Sequence, residues 1–150
     1  SILPYDPWTD RLILIEQFRI GAFAAGRHPW LIEVPAGRID SGETPEDVAH
    51  REALEEVGRP LDRLERLCHY MVNPASSTEA LTLFAGRVDA RDADGIHGLD
   101  HEGEDIRVFS VAADEAIGWI GGDRISNATM LIAIQSLALN RERLRQMWRD

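Results

Sequence analysis

The sequence contains no lysine, a single cysteine, and no apolar run approaching the roughly 20 residues that a membrane-spanning helix needs. Without lysine, all 16 cations are arginine, and they face 26 acids for a net charge of −10. A nucleic-acid partner is therefore not expected, because such binders carry a basic stripe that neutralises phosphates. A membrane partner is not expected either. Cys68 alone cannot close an internal disulfide, so nothing points to an oxidising compartment and a cytoplasmic location is expected. Within its strand it reads as a small buried hydrophobe. The five histidines (His28, His50, His69, His97 and His101) lack H-x3-H spacing, and no C-x2-C exists, which excludes the common zinc patterns. Gly121–Gly122 is followed by no Lys-Ser/Thr and reads as a turn, not a phosphate loop.

What is present is a chain of 150 residues, 44% hydrophobic and 28% charged, which suits one globular domain over residues 1–150. Arg11–Arg19 alternates and is rich in Leu and Ile, predicting a strand; Trp30–Ala36 predicts another. Arg38–Glu43 reads as a turn-rich loop. Thr44–Val57 carries helix punctuation, with Thr44 as N-cap, Pro45 in the first turn and Gly58 as the stop. Leu64–Val72 and Ala80–Val88 predict strands around the loop Asn73–Glu79. Asp89–Asp105 reads as a long polar loop with seven acids, Ile106–Val111 as a strand, and Ala112–Gly118 and Asn127–Trp148 as helices. The pattern is mixed α/β.

On a wheel, Glu52, Glu55 and Glu56 fall within an arc of roughly 100°. Ala49, Ala53, Leu54 and Val57 lie on the other side, a face suited to a sheet, and Arg51 can pair with Glu55 at i,i+4. Three close carboxylates repel one another, and a hard divalent cation would remove that repulsion. A solvated Glu-rich face is the plainer alternative.

From Gly37 the chain reads Gly37, five residues, Glu43, seven residues, then Arg51–Glu52–Ala53–Leu54–Glu55–Glu56–Val57–Gly58. This resembles the Nudix box, over residues 37–59, with one departure: Arg59 stands where the pattern has an apolar residue. The resemblance implies an α+β fold, an α/β/α sandwich on a mixed sheet, whose loop–helix–loop box binds Mg²⁺ or Mn²⁺. It implies Glu52 and Glu56 as principal metal ligands, with Glu55 contributing and Arg51 and Glu43 orienting helix and loop. The metal would neutralise a diphosphate and lower the pKa of an attacking water.

Outside the box, the segments at Ile15–Arg19, Trp30–Gly37, Gly95–Val108 and Ile125–Leu137 resemble the bacterial ADP-ribose pyrophosphatase branch. That resemblance implies hydrolysis of ADP-ribose to AMP and ribose 5-phosphate. It implies Glu102 as the general base, and Glu104 and the Ala36 carbonyl as further metal ligands. Arg19, Arg38, Asn73, Pro74, Ala75 and Glu79 match substrate-binding positions. Ala75 stands where the branch has a glycine, which bears on the substrate and not on the reaction class. The branch also implies a homodimer formed in part by an N-terminal portion that these 150 residues do not include. The alternatives are another nucleoside diphosphate sugar such as GDP-mannose, and a Nudix-fold regulator that binds a nucleotide without cleaving it.

Overall fold

The computed structural model describes residues 1–98 and 105–149. Strand β2 (Arg11–Phe18) sets the architecture: Leu12 and Leu14 point to one face, Ile13 and Ile15 to the other, and all four are fully buried. A strand apolar on both faces must be covered on both. One face of the sheet is covered by helices α3 (Ala113–Gly118) and α4 (Ala128–Arg149), through Met130, Ile134, Leu137 and Trp148. The other packs on helix α2 (Pro45–Val57), where Ala49, Ala53 and Val57 meet Ile13, Ile15, Phe84 and Val108. The expected α/β/α sandwich is what the chain forms.

Strand β1 (Ile2–Asp6) runs parallel to β5 (Ala80–Arg87), and the other pairings are antiparallel, so the sheet is mixed. The main path among the described residues is β4 (Arg63–Met71), β5, β1, β2, β7 (Ile106–Ala112), β6 (Gly95–His97). Strand β3 (Trp30–Glu33) pairs with the second half of β2, on the edge whose first half β1 occupies.

The structure departs from the expectations in four places. The strand expected over Trp30–Ala36 ends at Glu33, because Pro35 has no N–H to offer a ladder and its carbonyl instead accepts from the Ile2 N–H at 2.9 Å. The loop expected over Asp89–Asp105 contains β6, which pairs with β7 as a hairpin, and Ala90 and Ala93 within it are buried. Strand β1 and the short helix α1 (Ile20–Ala24) are additions. Leu54, assigned to the sheet face of α2, is 54% exposed, whereas Val48 on the acidic side is buried. Among the described residues, no helix is long and apolar enough to cross a membrane.

Candidate active site

Helix α2 begins where its sequence says it should. The Thr44 hydroxyl accepts from the Asp47 N–H at 3.1 Å, and the Asp47 carboxylate accepts from the Thr44 N–H at 2.9 Å. Such a reciprocal cap is worth about 1 kcal/mol. Glu46 and Asp47 favour the positive end of the helix dipole. The helix ends at Gly58, whose φ of 67° is left-handed and suits a residue without Cβ. Because Ala49 and Ala53 are small, the helix rides close to the sheet. That packing carries Glu52 and Glu56 inward, to 7% and 4% exposure. A solvated Glu-rich face is thereby ruled out for these two.

The glutamates are held individually. Glu56 Oε2 accepts from the Ala36 N–H at 3.0 Å, which ties the helix to the loop leaving β3. Arg51 is the hub of the rest. Its guanidinium donates to both Glu43 oxygens at 2.9 and 3.1 Å, to Glu52 at 2.7 Å, to Glu55 at 3.1 Å and to the Arg38 carbonyl at 3.0 Å. The hydrogen bond from Arg51, with a second from the Asp40 N–H, holds the Glu43 carboxyl below its ordinary range. Bonding to Glu43 in turn pushes Arg51 further up, so it stays charged. The expected i,i+4 pair with Glu55 is present, as one arm of this larger fork.

One guanidinium is shared by the three carboxylates of Glu43, Glu52 and Glu55, and carboxylates this close repel one another. The donor set fits a hard divalent cation: two buried carboxylates one helical turn apart, beside the peptide of Ala36. The described residues bring together no group of three or more His, Cys, Asp or Glu able to hold a metal. Glu104, the further ligand implied by resemblance, lies outside the described residues, as do Glu102 and His101.

Gly37 completes this corner. A Cβ there would fall 1.5 Å from Glu52 Oε1, so any side chain at this position displaces the carboxylate. Gly37→Ala is expected to lower kcat/KM by about ten-fold or more while the protein stays folded. This is the size of effect seen when the support of a metal ligand is disturbed. Wild-type turnover in a well-folded variant would remove Glu52's position from the requirements of the site.

A cavity of about 580 Å³ opens beside this corner, between the loop at Gly37–Ile39, the first turns of α2 (Pro45, Val48) and the start of β5. It brings together two of the expected substrate contacts, Arg38 and Glu79. Asn73, Pro74 and Ala75 lie in the exposed β4–β5 connection, where the Asn73 carbonyl accepts from the Ser76 and Ser77 N–H groups. Arg19 stands at the end of β2, bound to Glu33 at 2.6 Å.

A family profile for the NUDIX domain matches residues 1–125. The chain belongs to the NUDIX family. This Nudix domain is 43% identical to the ADP-ribose pyrophosphatase of Escherichia coli K12 over 147 residues, spanning 98% of its own length and 70% of that protein. It is 42% identical to the Haemophilus influenzae ADP-ribose pyrophosphatase over 99% and 70%. A GDP-mannose pyrophosphatase of Pectobacterium atrosepticum is 32% identical over 90% and 69%. The crystal structure of an ADP compounds hydrolase superposes with a TM-score of 0.75, at 21% identity, over 99% of this chain and 73% of that one, a likeness of fold.

Nudix enzymes generally work with divalent metal ions. Two features of this Nudix domain lie beyond what its sequence announced. Arg59, the departure from the box, donates to the Arg91 and Asp92 carbonyls at 3.0 and 2.9 Å and so fastens the end of α2 to the segment before β6. His97 stands against Gly58, where an added Cβ would meet its ring at 2.8 Å. Neither contact has a periodic or motif signal, since both join residues more than 30 positions apart.

Proposed function

We propose that this Nudix domain hydrolyses the diphosphate bond of ADP-ribose, with Mg²⁺ (or Mn²⁺ in its place), giving AMP and ribose 5-phosphate. The observation that carries the reading is 43% identity over nearly the whole chain to ADP-ribose pyrophosphatases, joined to a buried Glu52–Glu56 pair at the box. Glu52, Glu56, Glu104 and the Ala36 carbonyl hold the metal, with Glu55 beside them. Bound divalent ions supply charge neutralisation at the diphosphate and a lower pKa for the attacking water. Arg51 keeps Glu52 and Glu55 in place and Glu43 keeps Arg51 in place. Glu102 takes the proton of the water as the water oxygen bonds to phosphorus and the bridging P–O bond breaks. Arg19, Arg38, Glu79 and the Asn73–Ala75 backbone bind the substrate. A homodimer and a cytoplasmic location complete the proposal. For the dimer, the exposed apolar patch of Ile20, Phe23, Phe18 and Trp30 offers a surface that a second copy would cover.

A second reading, action on another nucleoside diphosphate sugar, is favoured by Ala75 and by the 32% identity to a GDP-mannose pyrophosphatase. Turnover of ADP-ribose, GDP-mannose and a nucleoside triphosphate, each with Mg²⁺ and with chelator, separates them. Metal-dependent cleavage fastest on ADP-ribose is the expected result. Preference for GDP-mannose would move the substrate assignment. Tight nucleotide binding with no cleavage would make the domain a regulator.

A further inference from the structure

The cavity beside the box is unlike a base-binding pocket. No aromatic ring is among its described lining residues, and the exposed rings of Phe18, Phe23 and Trp30 gather instead at the α1–β3 edge. Nucleobases gain much of their affinity by stacking on such rings. The cavity offers different chemistry: a carboxylate at Glu79, a hydroxyl at Thr82 and aliphatic walls from Ile39 and Val48, with Arg38 on the box side. Carboxylate and hydroxyl acceptors against an aliphatic wall suit a sugar ring, and an arginine in the lining suits a phosphate.

Thr82 is held from behind. His69 Nδ1, on the neighbouring strand β4, lies 3.0 Å from Thr82 Oγ1, and the two residues are direct partners in the β4–β5 register. Whichever of the two donates, one hydrogen bond uses one of the hydroxyl's three bonding capacities, so the contact holds the oxygen in place and leaves capacity for a ligand.

We propose that this cavity takes the ribose 5-phosphate half of the substrate and that the Thr82 hydroxyl, held by its hydrogen bond with His69, reads a hydroxyl of that sugar. The inference rests on the ADP-ribose reading but is tested separately from it. Thr82→Val removes the hydroxyl at nearly constant shape, and Thr82→Ser keeps it.

The decisive experiment is equilibrium titration of ribose 5-phosphate and of AMP, each with Mg²⁺, into the wild type and both variants, followed by KM and kcat for ADP-ribose. In Thr82→Val, ribose 5-phosphate affinity should fall about five-fold, the worth of one neutral hydrogen bond, while AMP affinity holds. KM for ADP-ribose should rise by the same factor with kcat nearly constant, and Thr82→Ser should restore both. Equal weakening of the two products, no change in either, or no binding of ribose 5-phosphate to the wild type overturns the inference. Binding of ribose 5-phosphate that depends on Thr82, in a protein that does not cleave ADP-ribose, would uphold the inference and defeat the proposed reaction.

Discussion

Glu56→Gln is expected to lower kcat/KM for ADP-ribose by at least about a hundred-fold while leaving the fold intact. Outer partners of metal ligands cost ten- to a hundred-fold when removed, and Glu56 is proposed as a ligand itself. The substitution keeps the shape, and the amide oxygen can still accept from the Ala36 N–H that the carboxylate binds at 3.0 Å. The charge is lost, and one carboxylate oxygen becomes an NH2 group, on a side chain that is 4% exposed. The side chain keeps its volume and its bond to the Ala36 N–H, so the metal-free variant should melt close to the wild type. Mg²⁺ should raise the Tm of the wild type more than that of the variant, because a ligand stabilises the folded state in proportion to its binding. Activity within a few-fold of wild type, or an undiminished Mg²⁺ effect on Tm, would remove Glu56 from the metal site.

That signature also separates the site from its surroundings. A packing defect at α2 would lower Tm and activity together, whereas a missing charge lowers activity alone. The distinction matters here because Glu56 shares its helix face with Ala49, Ala53 and Val57, which pack on Ile13, Ile15 and Phe84.

The sequence was most legible where one residue's physics suffices. Thr44, Pro45 and Gly58 each encode a local backbone requirement, and α2 begins and ends as they dictate. The strands with strong apolar content, β2, β5 and β7, were equally plain. Strand β1 was not, because Pro4 reads as a breaker, yet Pro4 sits opposite Gly86 in a parallel pair where the fold tolerates it. Helix α1 is five residues with Gly21 near its start and no buried side chain, so it has no periodicity to detect. Leu54 shows the limit of a helical wheel. A wheel orders residues around an axis but does not say where the sheet lies, and the sheet lies toward Glu52 and Glu56 more than the apolar residues suggest. At the site, the box motif identified the acids and Gly37. The reason for Gly37, its closeness to Glu52 Oε1, is a tertiary distance and was invisible. Thr82 and His69 belong to no motif. They meet only because β4 and β5 pair in a register that a bulge between Arg66 and Cys68 shifts.

Glu102→Gln is expected to behave differently from Glu56→Gln, and the contrast tests the division of labour between the box and the β6–β7 connection. A general base accelerates proton transfer by roughly 10² to 10⁴, so kcat should fall by that factor. KM for ADP-ribose should change little, because the base acts on water and not on the bound substrate. Mg²⁺ should stabilise this variant as it does the wild type, since the proposed ligands remain. The ends of the connection are secured: His97 pairs with Ile106 across the hairpin, and His97 stands against Gly58, two residues beyond Glu56. The connection thus starts and finishes beside the helix that bears the proposed metal ligands. If kcat for Glu102→Gln stayed near wild type, another group would have to accept the proton, and Glu102 would lose its role with the box assignment untouched. If instead kcat fell together with the Mg²⁺ effect on Tm, Glu102 would be a metal ligand and the base would lie elsewhere.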